Sequence, residues 1–475
     1  MPAPPHPPAE PAAAASPAEP PGDRPGRALA AILLAVSLAS LDTAIANVAL
    51  PAIAADLRAS PAASIWVVNA YQLAMVATLL PFAALGDLWG PRRVFLGGLA
   101  LFTAASLGCS LAGSLPMLVL ARLVQGVGAG ALMSVNMALI RTIYPPARLG
   151  RGVGLNALVV GVAFSVGPPV ASLVLAVADW RWLFGINVPL GIVGYVFASS
   201  ALPRSGRRGH SVDALTALLT AASFAALVLA LGTAAQREPW PLVLGALATS
   251  AVCGALLLRR QSGHPAPMLP VDLLRRPMFA LSTVTALAAF ATQGLAFVSL
   301  PFYLEDVLHR SAVETGFLMA PWAVVVALAA PVAGRLSDRY PPGLLGGIGL
   351  ALLSAGMASL ALLPAAPGVA AIVWRMALCG IGFGLFQSPN LRALMTSAPP
   401  ERSGGASGVV ATARLIGQTS GAALVALCFG LAGRQGSTWA LALGAGFAAL
   451  AAVSSSARLW ADGAATDAEG PARKV

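Results

Sequence analysis

The stretch Ala83-Ala84-Leu85-Gly86-Asp87-Leu88-Trp89-Gly90-Pro91-Arg92-Arg93 lies between two long apolar runs. Its pattern returns half a chain later as Gly334-Arg335-Leu336-Ser337-Asp338-Arg339-Tyr340-Pro341-Pro342. In each copy an acid closes an apolar helix, a turn-former follows within a few residues, and arginine flanks the turn. A large unit has been duplicated. A duplicated, almost wholly apolar chain with short charged loops is the pattern expected of a secondary transporter.

Composition agrees. Of 475 residues, 57% are hydrophobic and only 10% charged, and the mean hydropathy is +0.80. One aqueous core cannot hide that much apolar surface, so the bilayer must be the solvent. The fold class expected is an all-α integral membrane protein. A net charge of +11 would suggest nucleic acid in a soluble protein. Here the arginines gather in alternate loops, which points to orientation in the membrane and to no nucleic-acid partner. Cys109, Cys253, Cys379 and Cys428 fall inside apolar runs without metal-ligand spacing, so neither disulfide nor metal is implied. Residues 1–26 are Pro/Ala-rich with no apolar core and read as a disordered tail, not a signal peptide.

Apolar segments long enough to cross a bilayer run over 28–50, 64–86, 94–113, 116–140, 152–177 and 183–202, then 212–234 and 241–258. They resume over 278–303, 313–334, 343–363, 370–394, 404–432 and 437–457. The domains predicted are a cytoplasmic tail (1–26), a six-helix bundle (27–202), two extra helices with linkers (203–276), a second six-helix bundle (277–458) and a tail (459–475). That makes fourteen spans with pseudo-twofold symmetry. A twelve-span alternative lays 212–258 on the surface. With the N-terminus inside, Arg92, Arg93, Arg141, Arg207, Arg208, Arg259, Arg260 and Arg458 join most of the other arginines on the inner side. Only Arg58, Arg181, Arg237, Arg310 and Arg434 fall outside. Both termini are therefore expected in the cytoplasm of a plasma-membrane protein.

Charges within the spans are the candidate functional groups. Asp42 in the first span is costly in hydrocarbon and must face an aqueous cavity or a partner, or stay protonated as a packing group. Arg122 in the fourth span keeps its charge and needs an anion, a polar cavity or carbonyls, with Gln125 within one turn of it. Gly126, Gly128 and Gly130 allow a close helix approach. Pro168, beside Gly167, is expected to kink the fifth span. Asp87 can pair with Arg92, Arg93 or Arg141 as a latch, since positive-inside charge alone requires no acid; Asp338 and Arg339 repeat the loop. Asn47, Gln125, Gln293, Gln387, Asn390, Arg414 and Gln418 could line a central cavity or simply bond helix to helix, as could Arg375. Glu305 and Asp306 close a span and could guard a vestibule or simply be solvated.

Taken together these elements resemble the fourteen-span drug:proton antiporter family of the major facilitator superfamily. The resemblance covers about residues 28–458. It rests on Leu41-Asp42 through Pro51, on Trp66-Val67-Val68-Asn69-Ala70-Tyr71-Gln72-Leu73, and on Trp180 through Gly191. Leu300 to Tyr303 followed by Gly316-Phe317-Leu318-Met319-Ala320-Pro321 completes it. The family implies two six-helix bundles, an extra central pair, and alternating access driven by proton entry, with no cofactor. It implies that Asp42 and Arg122 serve proton coupling. Asp87, Arg92 and Arg93, with Asp338 and Arg339, would form the gating loops, and Gly167-Pro168 the heart of the antiporter motif. Departures are Ala83 for the loop's opening glycine and Leu88 for its usual basic residue. Ala163, Ala171 and Ser172 stand at small-residue positions, and Glu305 where glutamine is frequent.

The leading expectation is proton-coupled export of small amphipathic, drug-like compounds, cations among them. The partners expected are the lipid bilayer, the substrate and protons, and the chain is expected to act as a monomer. An uptake symporter on the same fold is the alternative, and a non-transporting sensor or scaffold a third. An enzyme is not expected, because HExxH and GxSxG motifs are lacking and the histidines lie in the tail and loops.

Overall fold

A computed structural model of the chain describes residues 25–144, 149–203, 214–235, 239–261, 273–364, 366–398 and 403–468. Nearly all of the expected N-terminal tail and most of both central linkers lie outside them. The helices are α1 (Pro25–Asp56), α2 (Pro61–Ser64), α3 (Trp66–Trp89), α4 (Pro91–Ser110), α5 (Leu115–Ile143), α6 (Leu149–Val177), α7 (Arg181–Gly185), α8 (Asn187–Ala201), α9 (Ala214–Ala235) and α10 (Trp240–Gln261). They continue as α11 (Pro277–Phe302), α12 (Ala312–Leu336), α13 (Pro342–Ala361), α14 (Val369–Ser397), α15 (Ser403–Ala432) and α16 (Gly436–Ala468). There is no strand among the described residues. In hydrocarbon every backbone polar group must be satisfied within its own segment, and helices do this for apolar runs of any composition.

Local chemistry sets where helices begin and end. Proline opens α4, α11 and α13, where a missing N–H costs nothing. Ser311 and Glu314 form a reciprocal capping box at the start of α12. Gly90, between α3 and α4, has φ of 89°, a left-handed conformation that glycine adopts without strain; the repeated loop turns on it. In the second copy Tyr340 and Pro341 make the turn instead. α6 runs unbroken through Pro168 and Pro169 to Val177. α11 ends in a π-helical turn over Tyr303–Val307.

Twelve stretches of the described residues are long and apolar enough to cross a membrane, against the fourteen predicted. One of the twelve, Val409–Trp460, is 52 residues long and contains the junction between α15 and α16. The predicted span 212–234 qualifies only as a shorter apolar helix, Leu218–Leu227. The last helix also outruns its predicted end, so residues to Ala468 are helical where a tail is expected.

Helices α1–α8 form one bundle and α11–α16 the other. They meet along α1 with α11, α6 with α12, and α3 with α15. α9 packs against both α3 and α15, and α10 packs on α9, so the extra pair lies across one seam between the bundles.

The largest buried apolar cluster is shared by the bundles at one end. Ile45, Val48 and Ile53 of α1, Val67 of α3 and Ala171 of α6 belong to the same cluster as Leu300 and Phe302 of α11 and Leu318 of α12. Toward the end carrying Asp87 and Asp338 the clusters separate. Ile32, Phe95, Leu132 and Ile140 belong to the first bundle, and Phe279, Leu394 and Ala398 to the second. Leu415 of α15, at mid-depth, joins the first bundle's cluster.

α6 seals the shared end. A Cβ on Gly167 would overlap Ala44 of α1, and one on Gly316 of α12 would overlap Ser172 and the Pro168 carbonyl. The Ser172 hydroxyl donates to the Ala312 carbonyl at 2.8 Å. Nearby, Asp56 at the end of α1 accepts from Trp180 Nε1 and Arg181 Nη1, each at 3.0 Å.

Candidate functional site

Asp42 and Arg122 are both wholly buried and form an ion pair between α1 and α5. Arg122 Nη1 also donates to Gln125 Oε1 at 2.6 Å, and Nε donates to the Val67 carbonyl of α3 at 2.9 Å. The guanidinium stacks over Tyr71, 4.1 Å from its centroid, with Phe184 at 5.3 Å. A planar cation between π faces gains electrostatically while staying dry. Tyr71 is itself fixed by donating to the Ala39 carbonyl at 3.1 Å.

The carboxylate has further partners. Gln125 Nε2 donates to Asp42 Oδ1 at 3.0 Å, and Asn187 Nδ2 donates to the same oxygen at 2.8 Å. Gln125 Nε2 also donates to Ser106 Oγ at 2.8 Å, and the Cys109 thiol donates to Gln125 Oε1 at 3.5 Å. One network thus ties α1, α3, α4, α5 and α8 together. Two atoms in it remain without partners: Arg122 Nη2 and Asn187 Oδ1. Protonating Asp42 would cancel the charge that Arg122 faces and strand a buried cation, a change costing about 3–5 kcal/mol if nothing else moved. The ion pair is therefore held by residues of several helices at once.

Sequence reasoning brings Asp42, Arg122 and Gln125 to one place but assigns Gln125 to the substrate cavity. The structure corrects this: Gln125 is wholly buried within the ion-pair network, because one turn of α5 puts it beside Arg122. Asn187 and Ser106 are additional members. Asn187 stands at the first residue of α8, where polar residues ordinarily serve as caps, so its sequence position alone hides its role.

The second bundle has a different centre. Arg458, expected in an inner segment, is wholly buried. Its Nη1 donates to Asn390 Oδ1 at 2.8 Å and to Ser282 Oγ at 3.1 Å. Asn390 Nδ2 in turn donates to the Ser282 carbonyl at 3.2 Å, so Asn390 belongs to this cluster and not to a cavity. α16 continues past the apolar run and carries Arg458 into the packed bundle. Arg375 donates to the Ser359 and Ala371 carbonyls and stacks on Trp374.

The remaining cavity candidates divide. Gln418 Nε2 donates to Gln293 Oε1 at 2.7 Å, linking α15 to α11. Arg414 lies one turn from Gln418. Gln387 is exposed along α14. Asn47 is buried with its Oδ1 unpartnered. Among the described residues no group of His, Cys, Asp or Glu could hold a metal ion.

The two loops differ. Asp338 pairs with Arg392 of α14, which also donates to the Ser337 carbonyl at 2.6 Å. Asp87 forms no ion pair among the described residues, contrary to expectation. Arg92 donates instead to the Ser199 carbonyl of α8 at 2.5 Å. Arg93 and Arg339 are exposed.

Two bundles of apolar helices that meet across seams, with charges sealed inside each, define a multi-span membrane transporter. The Major Facilitator Superfamily model matches residues 32–422. The chain is 51% identical to the uncharacterized transporter YebQ of Escherichia coli (strain K12), over 91% of this chain and 95% of that one. It is 31% identical to the tetracenomycin C resistance and export protein of Streptomyces glaucescens, covering 85% and 75%. A solved bacterial homolog of the human lysosomal transporter Spinster, in an inward-facing and unoccupied conformation, shares the fold. Its TM-score is 0.64 at 16% identity, with 92% and 98% of the two chains covered. The chain belongs to the major facilitator superfamily and is a transport protein, not an enzyme.

Proposed function

We propose that this chain exports small amphipathic compounds across the plasma membrane in exchange for protons, by alternating access, acting as a monomer without a cofactor. The observation that carries the reading is the Asp42–Arg122–Gln125–Asn187 network, in which one titratable carboxyl holds helices that alternating access has to rearrange. Relatives that include a resistance and export protein support the direction. The arginine-rich loops support cytoplasmic termini. They also support fourteen spans: α15 and α16 cross separately, and α9 (22 residues) and α10 (22 residues) make the central pair.

In this reading the conformation is open toward the arginine-rich, cytoplasmic end and closed at the other, where the cores of the bundles merge. The test is substrate flux in proteoliposomes with and without an imposed pH gradient. Asparagine keeps the size of Asp42 but cannot titrate. Asp42→Asn is expected to abolish gradient-driven concentrative transport while leaving passive exchange. An equal response to the gradient in Asp42→Asn and parent would place coupling elsewhere.

A further inference from the structure

We propose that Arg414 is the recognition group of the transport site, and that the exported compounds carry an anionic or strongly electron-rich oxygen (carboxylate, enolate or phenolate) and not a cationic head. This rests on the transport reading and narrows its substrate class.

Several arginines lie within the helices of the two bundles. Arg122, Arg375 and Arg458 all have partners. Arg414 has no ion pair or hydrogen bond among the described residues, and its Nε is buried without an acceptor. It stands about 16 Å along α15 from the helix start. Its direction follows from its neighbours. Gly421, two turns on, packs against the backbone of α11, and Gln418, one turn on, bonds Gln293 of α11. Residues at those spacings share a face. Leu415, beside it, is buried with the first bundle. Arg414 therefore points between α11 and the first bundle, into the seam where the core is divided.

Nothing there favours a cation. The one carboxylate at mid-depth among the described residues, Asp42, is sealed by Arg122, Gln125 and Asn187. Glu305 and Asp306 lie in the turn at the far end of α11. A guanidinium held in low dielectric without a counter-ion is costly, and a ligand that brings the acceptor recovers that cost on binding. Gln293 and Gln418 supply amide donors and acceptors beside it. The planar fork suits a two-oxygen group.

The test is binding without any gradient, using the full chain purified in detergent and two dyes on one xanthene scaffold: anionic fluorescein and cationic rhodamine 6G, read by fluorescence anisotropy. Fluorescein is expected to bind at least about tenfold more tightly. Arg414→Gln should abolish that preference, and Arg414→Lys, which keeps the charge, should largely retain it. Size-exclusion and thermal unfolding profiles report folding, and if Arg414→Gln fails to fold, the dye preference of the parent and of Arg414→Lys decides. Equal or tighter binding of rhodamine 6G, no binding of either dye, or an unchanged preference in folded Arg414→Gln overturns the proposal. Failure of gradient-driven flux in proteoliposomes would instead overturn proton coupling and leave the binding result standing.

Discussion

Arg122 makes contacts that only a planar, multiply donating cation can make together: a carboxylate, an amide, a main-chain carbonyl and two aromatic faces. Lysine preserves the charge but loses the fork and most of the stacking. Arg122→Lys is expected to insert normally and to lower gradient-driven flux at least about tenfold, in line with loss of one charge-assisted bond of about 1.5–3 kcal/mol. Flux equal to the parent's would reduce the guanidinium to a packing cation. Asn187→Ala removes one donor to Asp42 and should lower gradient-driven flux without stopping it. Flux equal to the parent's would mean that Asn187 only packs. The Asp42–Arg122 pair was legible in the sequence because intramembrane charges are rare and expensive. Asn187 was not, since a polar residue at a helix start has an ordinary explanation. Arg458 was misread for the opposite reason: it follows an apolar run and so resembles loop charge, whereas α16 carries it into the bundle.

Among the elements, α6 bears most on movement. It is wedged between α1, through Gly167 against Ala44, and α12, through Pro168 and Ser172 against Gly316. Both contacts depend on a missing side chain. Gly316→Val should cost about 1–3 kcal/mol by overpacking, directed at the closed end and not at folding as a whole. The expected result is normal insertion, reduced flux and greater access of water-soluble reagents to the far end. Full transport by Gly316→Val would show that α6 and α12 do not need to meet so closely. Helix existence could be read from hydropathy almost throughout. The α15–α16 junction, expected between residues 432 and 437, falls at Gly433–Gln435, whereas apolarity alone did not settle whether α9 crosses the membrane. Reporter fusions after residues 205 and 265 should both report cytoplasm. An outside signal from either would reject the fourteen-span topology.

At the scale of the whole molecule, the duplication repeats the acid, the turn and the flanking arginine but uses them unequally. Asp338 is paired with Arg392 while Asp87 has no ion pair among the described residues, at the same end where the bundle cores part. Asp338 and Arg392 are 70% and 44% exposed, so their pair contributes at most about 1 kcal/mol. That is little for folding, yet enough to shift a two-state balance about fivefold. Asp87→Asn removes no ion pair among the described residues and is accordingly expected to leave the melting temperature near that of the parent, while impairing transport if the loop acts as a latch. Normal flux at normal expression would make Asp87 surface decoration. The repeat was visible in the sequence. Which copy is engaged was not, since that depends on how the bundles are tilted and not on the local motif.

The placement of the thiols has a practical consequence. Cys109, Cys379 and Cys428 are buried and free, and Cys253 is half-buried on α10, a helix whose exposed large apolar residues are mostly leucine. The native chain should be silent toward membrane-impermeant maleimides, so single cysteines placed in the two repeated loops would carry spin labels or dyes without a cysteine-free background. The separation of the bundles could then be followed in real time in the unaltered protein interior.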